Sequence, residues 1–270
     1  MAPLPTHGLQ AEDFLIFLYI FARVSGVFLL SPLLAGKSIP IVVRGFLTVG
    51  TTILLSMVLF PSYQKNFVLD NTLQQGEVIF LIAIALVKEV AVGYLIGFCF
   101  SILFEAMVLA GELIDSMMGL STAQFFDPLS QTFKSLLAEL FLLSAMVLMF
   151  AMDLHHVFFR ILADSFNYIP LGYYQLSNNL LRDITLEVAA IFTFGIKIAA
   201  IPMIILVLTA AAIGFISRTL PEFNPLITGV SLRIVVGLFA VMATLRLFPS
   251  FIEHAFVNLT ELAQVFLNPR

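Results

Sequence analysis

The sequence predicts an all-α, polytopic membrane protein of about six hydrophobic segments, and three observations lead there. Hydrophobic residues make up 60% of the chain and charged ones 11%, with a mean hydropathy of +1.06, whereas a soluble domain carries roughly 25% charged residues. Apolar runs of about a span's length recur along all 270 residues, and one crossing needs ~20 of them. The connections between the runs are short and hold the prolines, asparagines and glycines of turns. One integral membrane domain over residues 1–270 is the expectation.

Composition also excludes several classes. A net charge of −4 without a Lys/Arg cluster leaves no basic face for nucleic acid or polybasic lipid recognition. The single cysteine, Cys99, cannot form an internal disulfide and lies in an apolar run without metal-ligand spacing, so it reads as a small core residue. No phosphate-binding glycine loop, dinucleotide fingerprint, metalloprotease helix or nucleophile elbow is present. Asp115 and Asp127 invite comparison with an intramembrane aspartyl protease, but one stands at a helix end and the other directly before Pro128. No enzymatic activity, cofactor or metal is therefore expected.

The first run, Phe14 to Leu34, is a retained helix and not a cleavable signal, because no Lys or Arg precedes it. Glu12 and Asp13 stand near its start, where the helix dipole favours acids, and Ser31-Pro32 closes it. Lys37 and Arg44 around Pro40 make the next loop the cytoplasmic candidate, with the N-terminus outside. The second run, Phe46 to Phe60, is marginally long for a crossing, and Pro61 is expected to end it. Val78 to Asp115 contains no proline and would measure roughly 57 Å as one helix. It either breaks near Lys88-Glu89 or projects from the bilayer. A helical wheel gathers Gly93, Gly97, Ser101, Glu105, Glu112 and Asp115 on one side, and Gly93 with Gly97 forms a step on which another helix can pack closely.

Ser135 to Met152 is the next helix. The adjacent His155 and His156 that follow point to different faces, a poor arrangement for holding a metal together. From Asp164 through Asp183 the chain turns polar and reads as a loop with room for one short amphipathic helix. Ile184 to Ser217 is too long for one perpendicular crossing, and Pro202 predicts a kink. The stiff connector Arg218 to Pro225 leads to a last span, Leu226 to Phe248. Phe251 to Leu267, within a tail of about residues 250–270, repeats apolar residues at helical spacing, which predicts an amphipathic helix on protein or interface.

Seven ionisable residues interrupt the apolar runs or lie close to them: Arg23, Lys88, Glu89, Glu105, Glu139, Lys197 and Arg233. Each would cost about 2.5 to 3.5 kcal/mol facing hydrocarbon at mid-membrane. So many charges imply helices wrapped by other protein, and one small chain offers little interior. Neighbouring subunits are the expected cover, with Arg23, Glu105, Lys197 and Arg233 as charges buried on assembly.

The stretch Gly111 to Pro128, GELIDSMMGLSTAQFFDP, fits neither a lipid-facing helix nor an ordinary loop. Small, oily and acidic groups alternate within it, a mixture that suits irregular backbone lining or blocking a passage inside protein. A plain connecting loop is the other reading that its composition allows.

This stretch resembles the FliR family of flagellar biosynthetic proteins, which is similar to the export-gate subunit of virulence type III secretion systems. The matching residues are Gly111-Glu112-Leu113-Ile114, Met118-Gly119-Leu120-Ser121, Ala123 and Asp127-Pro128. Supporting likenesses run along the chain: Arg23, Ser31-Pro32, Ile39-Pro40, His155, Ser165-Phe166, Ile169-Pro170-Leu171-Gly172, and Arg218 with Pro221. Three positions depart from the family pattern: Met117 and Glu222, where glutamine is usual, and Ser231, where proline is common.

The resemblance implies a subunit of an inner-membrane export gate in the flagellar basal body, one copy with several FliP and FliQ subunits alongside FlhB and FlhA. Kinked helical hairpins in a closed assembly, with exported flagellar proteins passing through, belong to the same implication. It also implies that residues 112–128 act as a plug, with Met117, Met118, Gly119, Leu120, Phe125 and Phe126 as the seal and Gly111, Glu112, Asp127 and Pro128 as flanking motif residues. Adaptable methionines, water-excluding phenylalanines and a flexible glycine suit that task. The rival expectation is a self-contained secondary transporter using Glu105, Lys197 and Arg233, although no inverted repeat supports it.

Overall fold

Every element of regular structure among the described residues is an α-helix. The computed structural model describes residues 11–31, 40–63, 75–120, 135–172, 180–219 and 227–267. The helices are α1 (Ala11–Leu30), α2 (Ile41–Tyr63), α3 (Gln75–Met118), α4 (Leu136–Ala151), α5 (His155–Tyr168), α6 (Leu180–Thr219), α7 (Ile227–Leu245) and α8 (Phe248–Leu267). Five of them contain a stretch long and apolar enough to cross a membrane, and α4 with α5 would supply a sixth as one broken span. The all-α, polytopic reading therefore holds.

Several boundaries differ from expectation, each for a local reason. Helix α2 starts directly after Pro40, whose carbonyl accepts the N–H groups of Val43 (3.0 Å) and Arg44 (3.3 Å). Pro61 does not end it; the helix runs on to Tyr63, because proline forfeits one backbone donor while its fixed φ remains helical. α3 is unbroken at Lys88-Glu89 and extends for 44 residues, about 66 Å of helix. α6 is likewise continuous through Pro202.

Residues 155–168 form α5 where the polar composition from Asp164 onward suggests a loop. Phe158, Ile161, Leu162, Ser165 and Phe166 are buried along one face of it. The turn before α5 closes α4 with two crossed bonds, Leu154 N–H to Met149 O (3.0 Å) and Asp153 N–H to Phe150 O (3.2 Å). Asp153 takes a left-handed φ of 56° there, a helix-ending conformation that short polar side chains tolerate better than most.

The chain divides into two compact units. The first comprises Met1–Ser101, His156–Leu180 and Thr260–Arg270. Its core is α1 against the first part of α3 and α5. Phe158 of α5 stacks with Phe28 (6.2 Å) and meets Phe100 edge-on (4.7 Å). Glycines set how closely α1 and α3 approach. A Cβ on Gly93 would lie 2.0 Å from the carbonyl oxygen of Arg23, one on Gly97 2.5 Å from that of Val27, and one on Gly26 2.4 Å from that of Val90. The small-residue step is thus a helix–helix contact, as its spacing predicts. α2 is the least covered of the apolar spans: 17% of its window is buried, against 50% for α1.

The second unit comprises Ile102–His155 and Leu181–Leu259. Its core includes Met107, Ile114 and Met118 of α3, Phe141 and Met149 of α4, Ile198 and Leu206 of α6, and Ala240 and Val241 of α7. α8 closes it: Phe248, Ile252, Ala255 and Phe256 are buried at helical spacing, Phe248 meets Phe141 edge-on at 4.8 Å, and Glu253 and His254 are exposed. As far as Val257 the amphipathic tail accordingly rests its apolar face on protein.

Candidate functional site

The stretch that the sequence marks as unusual begins inside a helix. Gly111 through Met118 complete α3, so these eight residues are regular backbone and not part of an irregular segment. Gly119 ends the helix at a left-handed φ of 81°, its N–H bonded to Asp115 O (3.1 Å) and Ser116 O (3.3 Å). Glycine reaches that conformation without the Cβ penalty. Leu120 follows in a tight turn. Phe125, Phe126, Asp127 and Pro128 lie outside the described residues.

Three contacts hold the end of α3. Gly111 brings its backbone against α4, where an added Cβ would meet the Cα and N of Ala138 at 2.5 Å. Asp115 is buried beside the start of α4, near Ser135 and Leu137. Ser135 in turn caps α4, its oxygen accepting the Ala138 N–H at 3.1 Å. Met118 is fully buried and fills the notch that Gly237 leaves in α7, with Cγ, Sδ and Cε all within 2.8 Å of where a Cβ would stand. Met117 and Leu120 are half-buried, and Glu112 faces outward.

A second constellation lies in the first unit, around Arg23. Its Nε meets the Glu89 carboxylate at 2.6 Å, with both side chains wholly buried. Nη1 donates to the carbonyl and the hydroxyl of Ser165 (2.9 and 3.4 Å), and Nη2 donates to the carbonyl of Ile169 (3.0 Å). The guanidinium also lies 4.3 Å from the centre of the Phe166 ring. Glu89 uses its other oxygen to accept the Gly172 N–H at 2.7 Å, and Gly172 has a φ of 80°. The Tyr63 hydroxyl donates to the Phe166 carbonyl (2.6 Å). Burial raises the Tyr63 pKa above its ordinary value, which keeps that donor protonated. A buried ion pair is tolerated when further hydrogen bonds satisfy both ions, and here the last turn of α5 and the turn after it supply them.

Arg23 therefore finds its partners within the chain. Among the described residues, the other three charges expected to be covered on assembly show no such set of partners. Glu105 and Lys197 are exposed on α3 and α6, and half-buried Arg233 has an Nε without a hydrogen-bond partner among the described residues.

Residues 14–259 match the family described as Bacterial export proteins, family 1. The chain belongs to that family. Similar proteins include the flagellar biosynthetic protein FliR of Escherichia coli (strain K12), 28% identical over 249 residues that cover 92% of this chain and 90% of that protein. The flagellar biosynthetic protein FliR of Bacillus subtilis (strain 168) is 27% identical over 82% of each chain. The secretion system apparatus protein SsaT of Salmonella typhimurium is 25% identical over 92% of this chain and 93% of its own length.

In this bacterial export protein, scattered residues that carried the resemblance meet in space. Arg23, Ser165, Phe166, Ile169 and Gly172, spread over rather more than half of the sequence, form one buried polar knot. Glu89 is the member that sequence reasoning left without a role. Its signal was an acid within an apolar run, opposite in charge to Arg23. The Asp115 contact to the start of α4 was also missed, since Ser135 and Leu137 are ordinary residues for a helix start.

Proposed function

We propose that the chain is a non-enzymatic subunit of the flagellar type III protein export gate in the bacterial inner membrane. It assembles there with FliP and FliQ, alongside FlhB and FlhA, and forms part of the passage for unfolded flagellar proteins. The observation that carries this reading is the end-to-end likeness to a flagellar biosynthetic protein, covering nine-tenths of both chains. The surface supports it. Glu105 and Lys197 are exposed within the apolar spans of α3 and α6, where lipid contact would cost about 2.5 to 3.5 kcal/mol each at mid-membrane. α2 presents Ile41, Phe46, Met57 and Val58 outward. Partner helices in a shared assembly would cover both kinds of surface.

Within that gate the segment after α3 acts as the plug. Met117, Gly119 and Leu120 stand at its base, Met118 anchors it, and Phe125 and Phe126 complete the seal. Two measurements test the proposal. Purified through a tag on this chain, the complex should contain FliP and FliQ, and a chain that purifies alone from cells making all three overturns the gate reading. Deleting Met117 to Ser121 should raise ion conductance through the assembled gate; unchanged conductance removes the plug assignment while leaving the subunit assignment in place.

A further inference from the structure

Helices α1 and α2 flank a cavity of about 550 Å³ within the first unit. Phe21, Phe28 and Leu29 of α1 and Phe46 and Val49 of α2 give it apolar walls, and half-buried Arg44 stands among them. Arg44 belongs to the first turn of α2 and to the beginning of its apolar span, Ile41–Pro61, while Val49 lies farther in. On α1, Leu29 is next to the end of the span and Phe21 is near its middle. The cavity therefore runs from the edge of the hydrocarbon, where a long cationic side chain reaches the headgroups, into the acyl region. Phe46 is 75% exposed and Leu29 64%, so the groove opens outward from the chain.

We infer that this groove holds one anionic phospholipid, its phosphate on the Arg44 guanidinium and its acyl chains between α1 and α2. Shape and charge both favour that occupant. From Ile41 to Val49 the helix rises ~12 Å, so the cavity averages roughly 45 Å² in section, against roughly 80 Å² for a helix ~10 Å across. Hydrocarbon chains enter a groove of that width, and a partner's helix does not. A guanidinium matches a phosphate in geometry as well as in charge, and a headgroup without a cation of its own leaves that attraction uncontested. The sequence holds no Lys/Arg cluster; one arginine beside a shaped apolar groove selects a single lipid instead of a charged surface. Partner helices of the gate remain free to cover the rest of α2, so the bound lipid and the gate reading stand or fall separately.

The experiment is photo-crosslinking of the full chain in its native membrane. Phe46 is replaced by the photoreactive analogue benzoylphenylalanine in cells whose phospholipids carry radioactive phosphate, and the chain is purified under denaturing conditions after irradiation. It should acquire phosphate label, and the headgroups recovered from it should be enriched severalfold in anionic lipid over the bulk membrane. Arg44→Gln should cut the label severalfold, whereas Arg44→Lys, which keeps the charge, should retain most of it. If Arg44→Gln does not accumulate, headgroup enrichment in the chain with its native arginine carries the test. Label with the bulk headgroup composition would mark ordinary boundary lipid and overturn the inference, as would label that Arg44→Gln leaves unchanged. A cross-link from position 46 to a polypeptide in place of lipid would give the groove to a partner subunit, and the absence of any adduct would show it closed to lipid. Either result rejects the proposal.

Discussion

Replacing Arg23 with alanine is expected to destabilise the folded chain by about 3 to 5 kcal/mol, because Glu89 is then left charged and unpaired in the core. The structure allows no easy relief, since both side chains are inaccessible to solvent. Thermal unfolding of the detergent-purified protein should show a large loss for Arg23→Ala and a comparable one for Glu89→Ala. The double variant Arg23→Met with Glu89→Leu should be less damaged than the two single effects added together, for neither charge remains alone. Simple additivity would show that the two groups do not act as a pair. Arg23→Lys should rescue little. A single ammonium cannot reproduce the fork that reaches Glu89, Ser165 and Ile169 together.

Gly93→Val is the second change expected to act strongly. Its Cβ alone would fall 2.0 Å from the Arg23 carbonyl oxygen, so the backbones of α1 and α3 must separate. Overpacking of this kind costs about 1 to 3 kcal/mol, occasionally more. Separation also shifts the residue that carries the guanidinium, which couples the damage to the buried pair. Gly50→Ala provides the contrast, because nothing lies within 4 Å of a Cβ there. Accumulation of full-length protein in membranes should fall for Gly93→Val and hold for Gly50→Ala. Equal accumulation of the two would mean that the close crossing contributes nothing.

Periodic, long-range apolar character made the helices readable in the sequence, and the same signal located the tail helix and the Gly93/Gly97 crossing. Reading failed where local chemistry and tertiary context disagreed. Pro61 is a strong local stop, yet α2 passes through it. Asp164 and Asn167 look like loop residues, yet Phe158, Leu162, Ser165 and Phe166 align on one side of α5 and are drawn into the core. That spacing was available in the sequence and was masked by its polar neighbours.

The candidate site was legible to a lesser degree. Composition marked Gly111 to Pro128, but the helix within it becomes evident only from the packing of Gly111, Asp115 and Met118. The pairing of Arg23 could not be read at all, because Glu89 lies 66 residues away and Ser165 lies 142. Spacing rules describe neighbours on one helix. They are silent about which distant segment will meet it.

Those separations also bear on biogenesis. The first helix leaves the ribosome well before the turn that receives its guanidinium, and at ~5–20 residues per second the wait for residue 172 is roughly seven to thirty seconds. During that interval a nascent apolar segment with one cation in its middle, Arg23, lacks the carbonyl acceptors that it has in the fold. The buried cluster around Arg23 can therefore be complete only after more than half of the polypeptide has been synthesised.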